Sequence, residues 1–314
     1  MPASTFLPTF SVCVCTRDNP DGLRQTLQSV AQSTTPPQQL IVSDDSSNYE
    51  TREMMRGEFP DVTYLEGPRR ACAANRNRAV RAATGTHVLI LDDRTLLGLT
   101  FLQQMSERIA DDHIHQASAG APAAPLILTG TDLCGAERGR PRKPTFLGRP
   151  ALDYRYGERL CSVVLHSTVF PRALFDQIAF DEDLAAGYDE IDLAGRAVYE
   201  CHCRIELMPS AVNRHATPPA RDEPAAACEA SRLYVTFWRY GHSQHRRGKA
   251  VLFLAFALPH QLAHQLHQAG WRGVAPFCAT AQRLWRHLRR RPDASGGAGH
   301  GGLQAGVRMP FPRD

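Results

Sequence analysis

The stretch His87-Val88-Leu89-Ile90-Leu91-Asp92-Asp93-Arg94 decides the fold. Its short apolar run predicts a strand that is buried on both faces and ends in a polar loop. In open α/β sheets, ligands bind just outside the carboxyl ends of such strands. Two adjacent carboxylates there are costly unless they are neutralised, and a divalent cation shared with substrate phosphates, Mg²⁺ or Mn²⁺, would neutralise them. The alternative is a solvated loop in which Asp93 caps a helix that begins near Thr95.

A second pair of acids follows a second predicted strand. Residues 40–43 are short and apolar and lead into Asp44 and Asp45. Because the carboxyl ends of parallel strands lie on one edge of a sheet, two such pairs are harder to explain as chance helix caps than one. The repetition favours a nucleotide and metal site over the solvated loop.

The first hundred residues alternate between strand and helix patterns. Asp21 is the expected N-cap of the first helix, and Gly85 is expected to end the third. The resulting β-α-β-α-β-α-β order predicts a parallel, doubly wound sheet. Strands are predicted at 10–15, 40–43, 62–65 and 87–91, and helices follow Asp21, span 50–57 and lie within 67–85.

The next hundred residues are less regular. The segment 134–159 has little periodicity and is predicted to be a long surface loop that acts as a lid or contacts substrate. A helix that begins near Asp189 places Asp189, Glu190 and Asp192 in its first turn, where the helix dipole tolerates acids; the alternative is an acid-capped surface helix. Strands are also predicted at 126–129, 161–166, 205–208 and 211–215, the last two at an edge, with a short helix at 172–178.

Composition and charge divide the chain. Of its 314 residues, 43% are hydrophobic and 22% charged, which is typical of a folded globular protein. Residues 231–314 contain thirteen Lys and Arg against two acids, whereas residues 1–230 carry a formal charge of −7. We therefore predict a catalytic body at 1–230, a basic helical extension at 231–292 and a disordered tail at 293–314. Nine cysteines without a CxxC pair, and a start that lacks signal-peptide features, indicate the cytoplasm.

The basic extension has two interpretations. Its apolar run at 250–258 is too short for a membrane span of about 18–20 residues. A helix at 280–291 sets Leu284, Trp285 and Leu288 against five arginines, a pattern that fits peripheral binding to the anionic inner face of the plasma membrane. Packing of these helices on the catalytic body is the alternative. Nucleic acid is disfavoured as a partner because apolar residues lie among the arginines.

Several motifs occur in the order and at the spacing of a known family. Over residues 9–216 the chain resembles the inverting family 2 glycosyltransferases of the GT-A fold. The resemblance implies an α/β, Rossmann-like and mostly parallel sheet flanked by helices, here with a helical C-terminal extension. The motifs are Cys15-Thr16-Arg17, Ile41-Val-Ser-Asp44-Asp45-Ser-Ser47, Ala73-Ala-Asn-Arg76-Asn77, Leu89-Ile-Leu-Asp92-Asp93, Phe180-Asp-Glu-Asp-Leu184, Gly187-Tyr-Asp189-Glu190-Ile-Asp192-Leu193 and His215.

The resemblance also implies roles for individual residues. Asp93 and His215 match metal-contacting positions. Arg94 stands where the family usually has a second acid or an Asn, so either Asp93 is the principal metal ligand or Arg94 touches the diphosphate in place of part of the cation's charge. Glu190 matches the catalytic base, and Asp189 is the alternative because the two acids are in swapped order. The positions that match nucleotide-sugar contacts are Thr16, Arg17, Asp44, Asp45, Arg76 and Asp92.

The implied reaction moves a sugar from a UDP- or dTDP-sugar to the hydroxyl of a glycan, a lipid-linked sugar or a small molecule. Such transfer serves cell-surface polysaccharide, glycolipid or secondary-metabolite glycosylation. A cation or Arg would stabilise the departing diphosphate, and a carboxylate would take the acceptor's proton. Because of Arg94, the alternative is a catalytically inactive sugar-nucleotide binder or scaffold. A nucleotidyltransferase or dehydrogenase is disfavoured because no glycine-rich loop follows the first strand.

Overall fold

The first hundred residues form the parallel half of a mixed sheet. The structure, a computed structural model, describes residues 6–119, 124–184, 187–216 and 225–289. Four strands pair in parallel in the order β3-β2-β1-β4, which confirms the predicted doubly wound arrangement. The direction of winding changes between β1 and β4, where ligands bind in such sheets. The elements are β1 (Phe10–Thr16), α1 (Pro20–Ala31), β2 (Gln39–Asp44), α2 (Glu50–Glu58), β3 (Thr63–Glu66), α3 (Cys72–Arg81) and β4 (His87–Asp92).

The rest of the sheet contains both parallel and antiparallel pairs. Strand β10 (Thr168–Pro171) lies antiparallel between β4 and β6 (Leu126–Cys134), and β6 pairs in parallel with β11 (Arg204–His215). The sheet ends at β5 (Thr95–Leu96), which is antiparallel to β11. The remaining elements of this region are α4 (Phe101–Ala119), β7 (Glu137–Gly139), β8 (Lys143–Pro144), β9 (Pro150–Leu152), α5 (Asp189–Tyr199) and two 3₁₀ helices, Leu165–Ser167 and Arg172–Asp176, the second at the short helix predicted for 172–178.

Strand β4 shows why the sheet is covered on both faces. Its side chains alternate, so Leu89 and Leu91 pack in the cluster that contains α1 and α4. Val88 and Ile90 pack on the opposite face, in the cluster that contains residues of α3 and α5. All four are fully buried, as predicted. Full burial of a side chain of this size stabilises the fold by roughly 1.5–3 kcal/mol.

The C-terminal extension is helical. A third apolar cluster joins its helices through Leu233, Phe253 and Leu284. The predicted boundary at 230/231 falls within α6, and the division into domains stays a prediction. Among the described residues no helix is long and apolar enough to cross a membrane. The predicted tail at 293–314 lies outside the described residues. The elements are α6 (Ala225–Trp238), a π-helical turn (Arg239–Ser243), α7 (Arg247–Ala269) and α8 (Val274–Arg289).

Two predicted helix ends were wrong, and the alternative interpretation of Asp93 is excluded. The side chain of Asn19, not Asp21, caps α1 by accepting a hydrogen bond from the Gly22 N–H at 3.2 Å. Helix α3 ends at Arg81, whereas Gly85 lies against β1, where a Cβ would come within 2.8 Å of a backbone nitrogen. Asp93 caps no helix, because Thr95 begins strand β5.

Four longer segments also differ from the prediction. The segment 161–166 is not a strand, and the sheet pairing begins later, at Thr168. The loop 134–159 contains three short strands, β7 to β9. The two predicted edge strands form the single strand β11, whose pairing with β6 is irregular between Leu207 and Val212. Strand β11 lies inside the sheet because β5 pairs with its end.

Candidate active site

The turn after β4 is tied to the end of β1 through Asp93. Its Oδ2 accepts hydrogen bonds from Thr16 Oγ1 at 2.7 Å and from the Arg17 N–H at 3.3 Å. Burial raises the pKa of Asp93, while the hydrogen bond from Thr16 opposes that rise. Helix α1 comes close behind the turn, since a Cβ at Gly22 would lie 2.3 Å from the Asp93 carbonyl oxygen. These contacts hold the acidic turn against the first strand.

Asp92 is the centre of a second group of side chains. Its Oδ2 accepts a hydrogen bond from His215 Nε2 at 2.9 Å and lies 3.5 Å from His166 Nε2. Its Oδ1 accepts a hydrogen bond from Thr95 Oγ1 at 2.6 Å. Burial disfavours the charged form, but His166, His215 and Thr95 together hold the pKa of Asp92 below its usual value. Asp92 is therefore a carboxylate that faces two imidazoles.

Asp92, His166 and His215 can hold a divalent cation. One ligand atom from each of the three lies within 4.8 Å of the others. His166 Nδ1 donates to the Ile90 carbonyl oxygen at 3.3 Å, which turns Nε2 toward Asp92, as in oriented metal-binding histidines. Burial lowers the pKa of His166 and keeps it neutral. One carboxylate and two imidazoles fit Mn²⁺ or another transition metal better than Mg²⁺, which prefers oxygen ligands.

The N-terminus of α5 carries the predicted base. Arg76 of α3 forms an ion pair with Asp189, whose side chain is buried. Its guanidinium also lies over the Phe180 ring, 5.6 Å from the centroid. Burial by itself would lower the pKa of Arg76, but the charges of Asp189 and Glu190 raise it. Arg76 was predicted to contact the nucleotide sugar; in the structure it forms an ion pair with Asp189 of α5.

The two acids after β2 differ in their surroundings. Asp44 is buried and accepts hydrogen bonds from the Ser46 N–H at 2.8 Å and the Tyr64 hydroxyl at 2.7 Å. Asp45 stays partly exposed and accepts one from the Arg69 N–H at 2.8 Å. The chain at Gly67 packs against this carboxylate, since a Cβ there would lie 2.1 Å from Asp45 Oδ1 and would displace it. Asp45 can therefore contact a ligand, whereas the Asp44 carboxylate is buried and bound within the protein.

Cys15, near the end of β1, lies in the sheet between Ser43 of β2 and Asp92 of β4. Burial raises its pKa to about 12, and the charges of Arg76, Asp45 and Asp92 also act on it. Arg76 belongs to α3, Asp45 follows β2 and Asp92 ends β4. The ion pair of Arg76 with Asp189 links this edge of the sheet to the start of α5. His166 was missed by the sequence analysis, because its segment was assigned to a strand and no motif marks it.

Comparison with known proteins identifies the domain. Residues 11–152 match the family described as Glycosyl transferase family 2. The match covers just under half of the chain and assigns these residues to a glycosyltransferase domain. No curated protein matches this glycosyltransferase in sequence.

Solved structures similar to this glycosyltransferase confirm the predicted fold. Residues 1–349 of S. aureus TarS in complex with UDP-GlcNAc are 14% identical, with a TM-score of 0.56 over 90% of this chain and 89% of that one. The mannosyltransferase PcManGT from Pyrobaculum calidifontis, in complex with GDP-Man and Mn²⁺, is 18% identical, with a TM-score of 0.51 over 90% and 88%. GalNAc-T7 with UDP, GalNAc and Mn²⁺ is 12% identical, with a TM-score of 0.56 over 79% and 55%. At these identities the likeness establishes a shared GT-A fold.

Proposed function

We propose that the protein transfers a sugar from a UDP- or dTDP-sugar to an acceptor hydroxyl, with inversion at the anomeric carbon. This proposal rests on two clusters of side chains at one edge of the sheet, one around Asp92 and one at the start of α5. The Asp92 group fits a cation that would accompany a diphosphate, and the α5 group offers a carboxylate for the acceptor. Two of the structures with the same fold contain UDP-GlcNAc and GDP-Man, which supports a nucleotide sugar as the donor.

We place the nucleoside beside the end of β1. Thr16 and Arg17 lie at this end next to Asp93, and Asp45 presents a partly exposed carboxylate across from them. A carboxylate there can accept hydrogen bonds from the base or the ribose. Asp44 is assigned the supporting role of holding the turn after β2, because its two oxygens are engaged within the protein.

The proposed metal ligands are Asp92, His166 and His215. When bound, Mn²⁺ would supply positive charge for the departing diphosphate. The three side chains would hold it at the end of β4, where the existing Asp92–His215 hydrogen bond shows that both groups can face one point. Asp93, the ligand expected from the resemblance, stays a prediction in that role; its Oδ2 accepts from Thr16 and Arg17.

The proposed general base is Glu190. As the acceptor oxygen forms its bond to the anomeric carbon and the bond to the diphosphate breaks, the hydroxyl proton passes to the Glu190 carboxylate. A single displacement of this kind inverts the configuration. Asp189 is less suited because its carboxylate is already engaged in the ion pair with Arg76. The role left for Arg76 and Asp189 is to position the start of α5.

We also propose that the extension attaches the protein to the cytoplasmic face of an anionic membrane. Its inner side packs on the body, since the Tyr240 hydroxyl donates to the Phe146 carbonyl oxygen at 3.1 Å. Its outer side leaves Phe256, Trp271 and Trp285 more than half exposed. The two interpretations of the sequence are therefore compatible, because the inner side of the helices packs on the body and the outer side is available to a membrane. The extension also exposes Arg246, Arg247, Arg272, Arg286 and Arg289, and the Arg289 guanidinium lies 4.8 Å from the centroid of the Trp285 ring.

A thermal-shift and turnover screen tests the proposed function. Purified protein is incubated with UDP-, dTDP- and GDP-sugars, each with and without Mn²⁺, and nucleotide release is followed with and without simple sugar alcohols. We expect a UDP- or dTDP-sugar to raise the melting temperature more strongly with Mn²⁺ and to be turned over slowly to the free nucleotide. Binding without any turnover would support the inactive binder instead. Absence of binding by every nucleotide would refute both.

A further inference from the structure

The start of α7 is basic and contains no acid. Its first turn is Arg247-Gly248-Lys249, and the residue before it, at the N-cap position, is Arg246. The positive end of a helix dipole favours acids, so cations there are unfavourable. An arginine side chain also has no acceptor for the N–H groups of the first turn. The protein itself therefore does not cap this helix in the usual way.

The backbone at this helix end is open to a ligand. The Ala250 N–H makes the first hydrogen bond of the helix, to the Arg246 carbonyl oxygen at 3.1 Å, so the N–H groups of residues 247–249 have no partner within the helix. Gly248 is exposed, and a Cβ added to it would meet no atom from another part of the described chain within 4 Å. Glycine is a poor helix former, but here it lets a ligand approach the N–H groups closely.

A buried arginine lies beside this helix end. Arg239, in the π-helical turn before α7, is 8% exposed, and its Nε has no hydrogen-bond partner among the described residues. Its guanidinium lies 5.1 Å from the centroid of the Tyr240 ring, and the Lys249 ammonium lies 4.0 Å from the same centroid. Burial lowers the pKa of Lys249, and the charges of Arg246 and Arg239 lower it further. The buried arginine and the start of α7 therefore meet at the Tyr240 ring.

These cations form a cluster that the described acids do not balance. None of the ion pairs among the described residues includes Arg239, Arg246 or Lys249, which together form the basic cluster. Glu200 comes near the π-helical turn, where it accepts a hydrogen bond from the Ser243 hydroxyl at 2.6 Å. A buried cation without a bound counter-charge is unfavourable. An anion at the start of α7 would balance the basic cluster.

Exposed apolar side chains lie one turn further along the helix. Val251 and Leu252 are at least half exposed, and they follow Gly248 by three and four residues. Residues at this spacing share one face of a helix. An anion bound at Gly248 would therefore have two apolar side chains beside it, which is the pattern that a lipid with a charged headgroup requires.

We propose that the start of α7 binds a phosphate monoester, held by the N–H groups of Gly248 and Lys249 and by the side chains of Arg239 and Lys249. A terminal phosphate has three oxygens that accept hydrogen bonds and a charge of about −1.5 to −2 at pH 7, which suits a helix N-terminus surrounded by cations. Two sources share this chemistry: the headgroup of a membrane lipid, which Val251 and Leu252 favour, or free phosphate. The inference deepens the proposed membrane attachment, on which it rests for the lipid source, because it names one site in place of a general attraction.

Two measurements on the full chain test the site and separate its sources. Sedimentation compares phosphatidylcholine vesicles that contain phosphatidic acid, a phosphate monoester, with vesicles that contain phosphatidylglycerol, a diester. The two kinds of vesicle are matched in surface charge by their zeta potential. Calorimetry titrates inorganic phosphate at constant ionic strength.

Four variants make the test specific. Gly248→Gln covers the N–H groups without changing the charge, and because the position is open the variant should fold like wild type. Ala275→Gln is its matched control, since Ala275 is exposed and is likewise the second residue of a helix, α8. Arg239→Gln removes the buried cation, whereas Arg286→Gln removes an exposed cation of α8. Thermal unfolding verifies that each variant is folded.

The two sources give different results. If a lipid headgroup is the ligand, wild type binds the phosphatidic acid vesicles roughly 10-fold more tightly than the phosphatidylglycerol vesicles. Gly248→Gln and Arg239→Gln then lose this preference, Ala275→Gln keeps it, and Arg286→Gln binds both kinds of vesicle more weakly in the same proportion. If free phosphate is the ligand, the vesicles are not distinguished, but wild type binds inorganic phosphate and the first two variants bind it roughly 10-fold more weakly.

The inference is overturned if wild type neither prefers phosphatidic acid nor binds inorganic phosphate, or if Gly248→Gln and Arg239→Gln match wild type in both measurements. The proposed attachment is judged separately, by sedimentation of wild type with either kind of anionic vesicle. Equal sedimentation with both kinds, without phosphate binding, would keep the attachment and remove the site. If wild type sediments with neither, the attachment is refuted, and the titration of inorganic phosphate alone decides whether the site exists.

Discussion

Arg76 of α3 forms an ion pair with the buried carboxylate of Asp189 of α5, although the two residues lie 113 positions apart in sequence. The pair fixes the start of α5 against the helix that follows β3. It also distinguishes two adjacent acids, because Asp189 is held by a guanidinium within the protein. Glu190, one residue further along the helix, is less buried than Asp189. The first two predictions follow from this difference.

Replacement of Glu190 by Gln should lower kcat by roughly 10²- to 10⁴-fold, because the acceptor hydroxyl loses its general base. Donor binding should change little, since Gln keeps the size and the hydrogen-bonding capacity of the side chain. Steady-state turnover and UDP titration measure the two quantities separately. The matched control is Glu182→Gln, an acid of the preceding loop whose replacement should leave kcat within a few-fold of wild type. If the Glu190→Gln variant keeps the wild-type kcat, the general base is Asp189 and not Glu190.

Replacement of Arg76 by Ala should lower the free energy of unfolding by roughly 3–5 kcal/mol, because it leaves the Asp189 carboxylate buried without its partner. Urea denaturation measures the change. The double variant Arg76→Ala, Asp189→Asn should recover part of that loss, since the second change removes the unpaired charge. If Arg76→Ala alone unfolds at the wild-type urea concentration, the pair is not a structural anchor.

Much of the fold could be predicted from the sequence because its signals are local. The apolar run of β4 and the alternation of strands and helices up to residue 92 predict the parallel half of the sheet. The antiparallel strand β10 was missed, since Val169 and Phe170 are fully buried between β4 and β6 but belong to a run too short to have a period. Tertiary pairing, not local pattern, makes this segment a strand.

The residues of the candidate site also differ in how far they could be predicted from local sequence. Acids that directly follow strands, such as Asp45 and Asp92, could be assigned to the site from topology alone. His166 could not, because it comes from a segment before β10 and reaches Asp92 only when β10 lies next to β4. The choice between Asp92 and Asp93 also depends on the turn, which directs Asp93 toward Thr16. The side chains of neighbouring residues in a turn point in different directions, and the sequence alone does not determine these directions.

Replacement of His166 by Ala should weaken Mn²⁺ binding by at least roughly 10-fold, because the proposed site loses one of its three ligands. Electron paramagnetic resonance of free Mn²⁺ during titration, in the presence of UDP, measures the affinity. His264→Ala, which removes an exposed histidine of α7, is the control and should bind Mn²⁺ as wild type does. In the same assay Asp92→Asn should weaken binding more than Asp93→Asn. The opposite order would restore the assignment of Asp93 as the principal ligand.

Buried His87 should make the fold less stable in mild acid. Burial lowers its pKa to about 4, whereas an unfolded chain has a histidine pKa of about 6.5. Between these values the unfolded state binds the proton and the folded state does not, so stability falls as the pH falls through this window. From about pH 7.5 to about pH 5 the loss attributable to His87 should be roughly 2 kcal/mol.

Urea denaturation at these two pH values, on wild type and His87→Gln, measures that contribution. The variant should be less stable than wild type at neutral pH, because the packing of the imidazole against Phe10 is lost, but its stability should fall less between the two pH values. Equal pH dependence in both proteins would show that His87 is not the group that titrates.

Removal of exposed apolar side chains from the extension should weaken membrane binding without weakening catalysis. Phe256→Ser and Trp285→Ser delete side chains that are 59% and 57% exposed and whose insertion among lipid headgroups would favour binding. Sedimentation with vesicles that contain phosphatidylserine should recover wild type but much less of the double variant. Wild-type recovery should also fall with neutral vesicles and with added salt, because each basic residue near an anionic surface contributes roughly 1 kcal/mol.

The matched control is Leu99→Ser, which removes a similarly exposed apolar side chain from the catalytic body. This variant should sediment like wild type, since a single exposed leucine away from the basic helices has no cluster of positive charge beside it. Turnover of a soluble acceptor, measured without vesicles, separates attachment from chemistry. If the double variant sediments as wild type does, the exposed face of α7 and α8 is not a membrane surface, and packing on the body accounts for the whole extension.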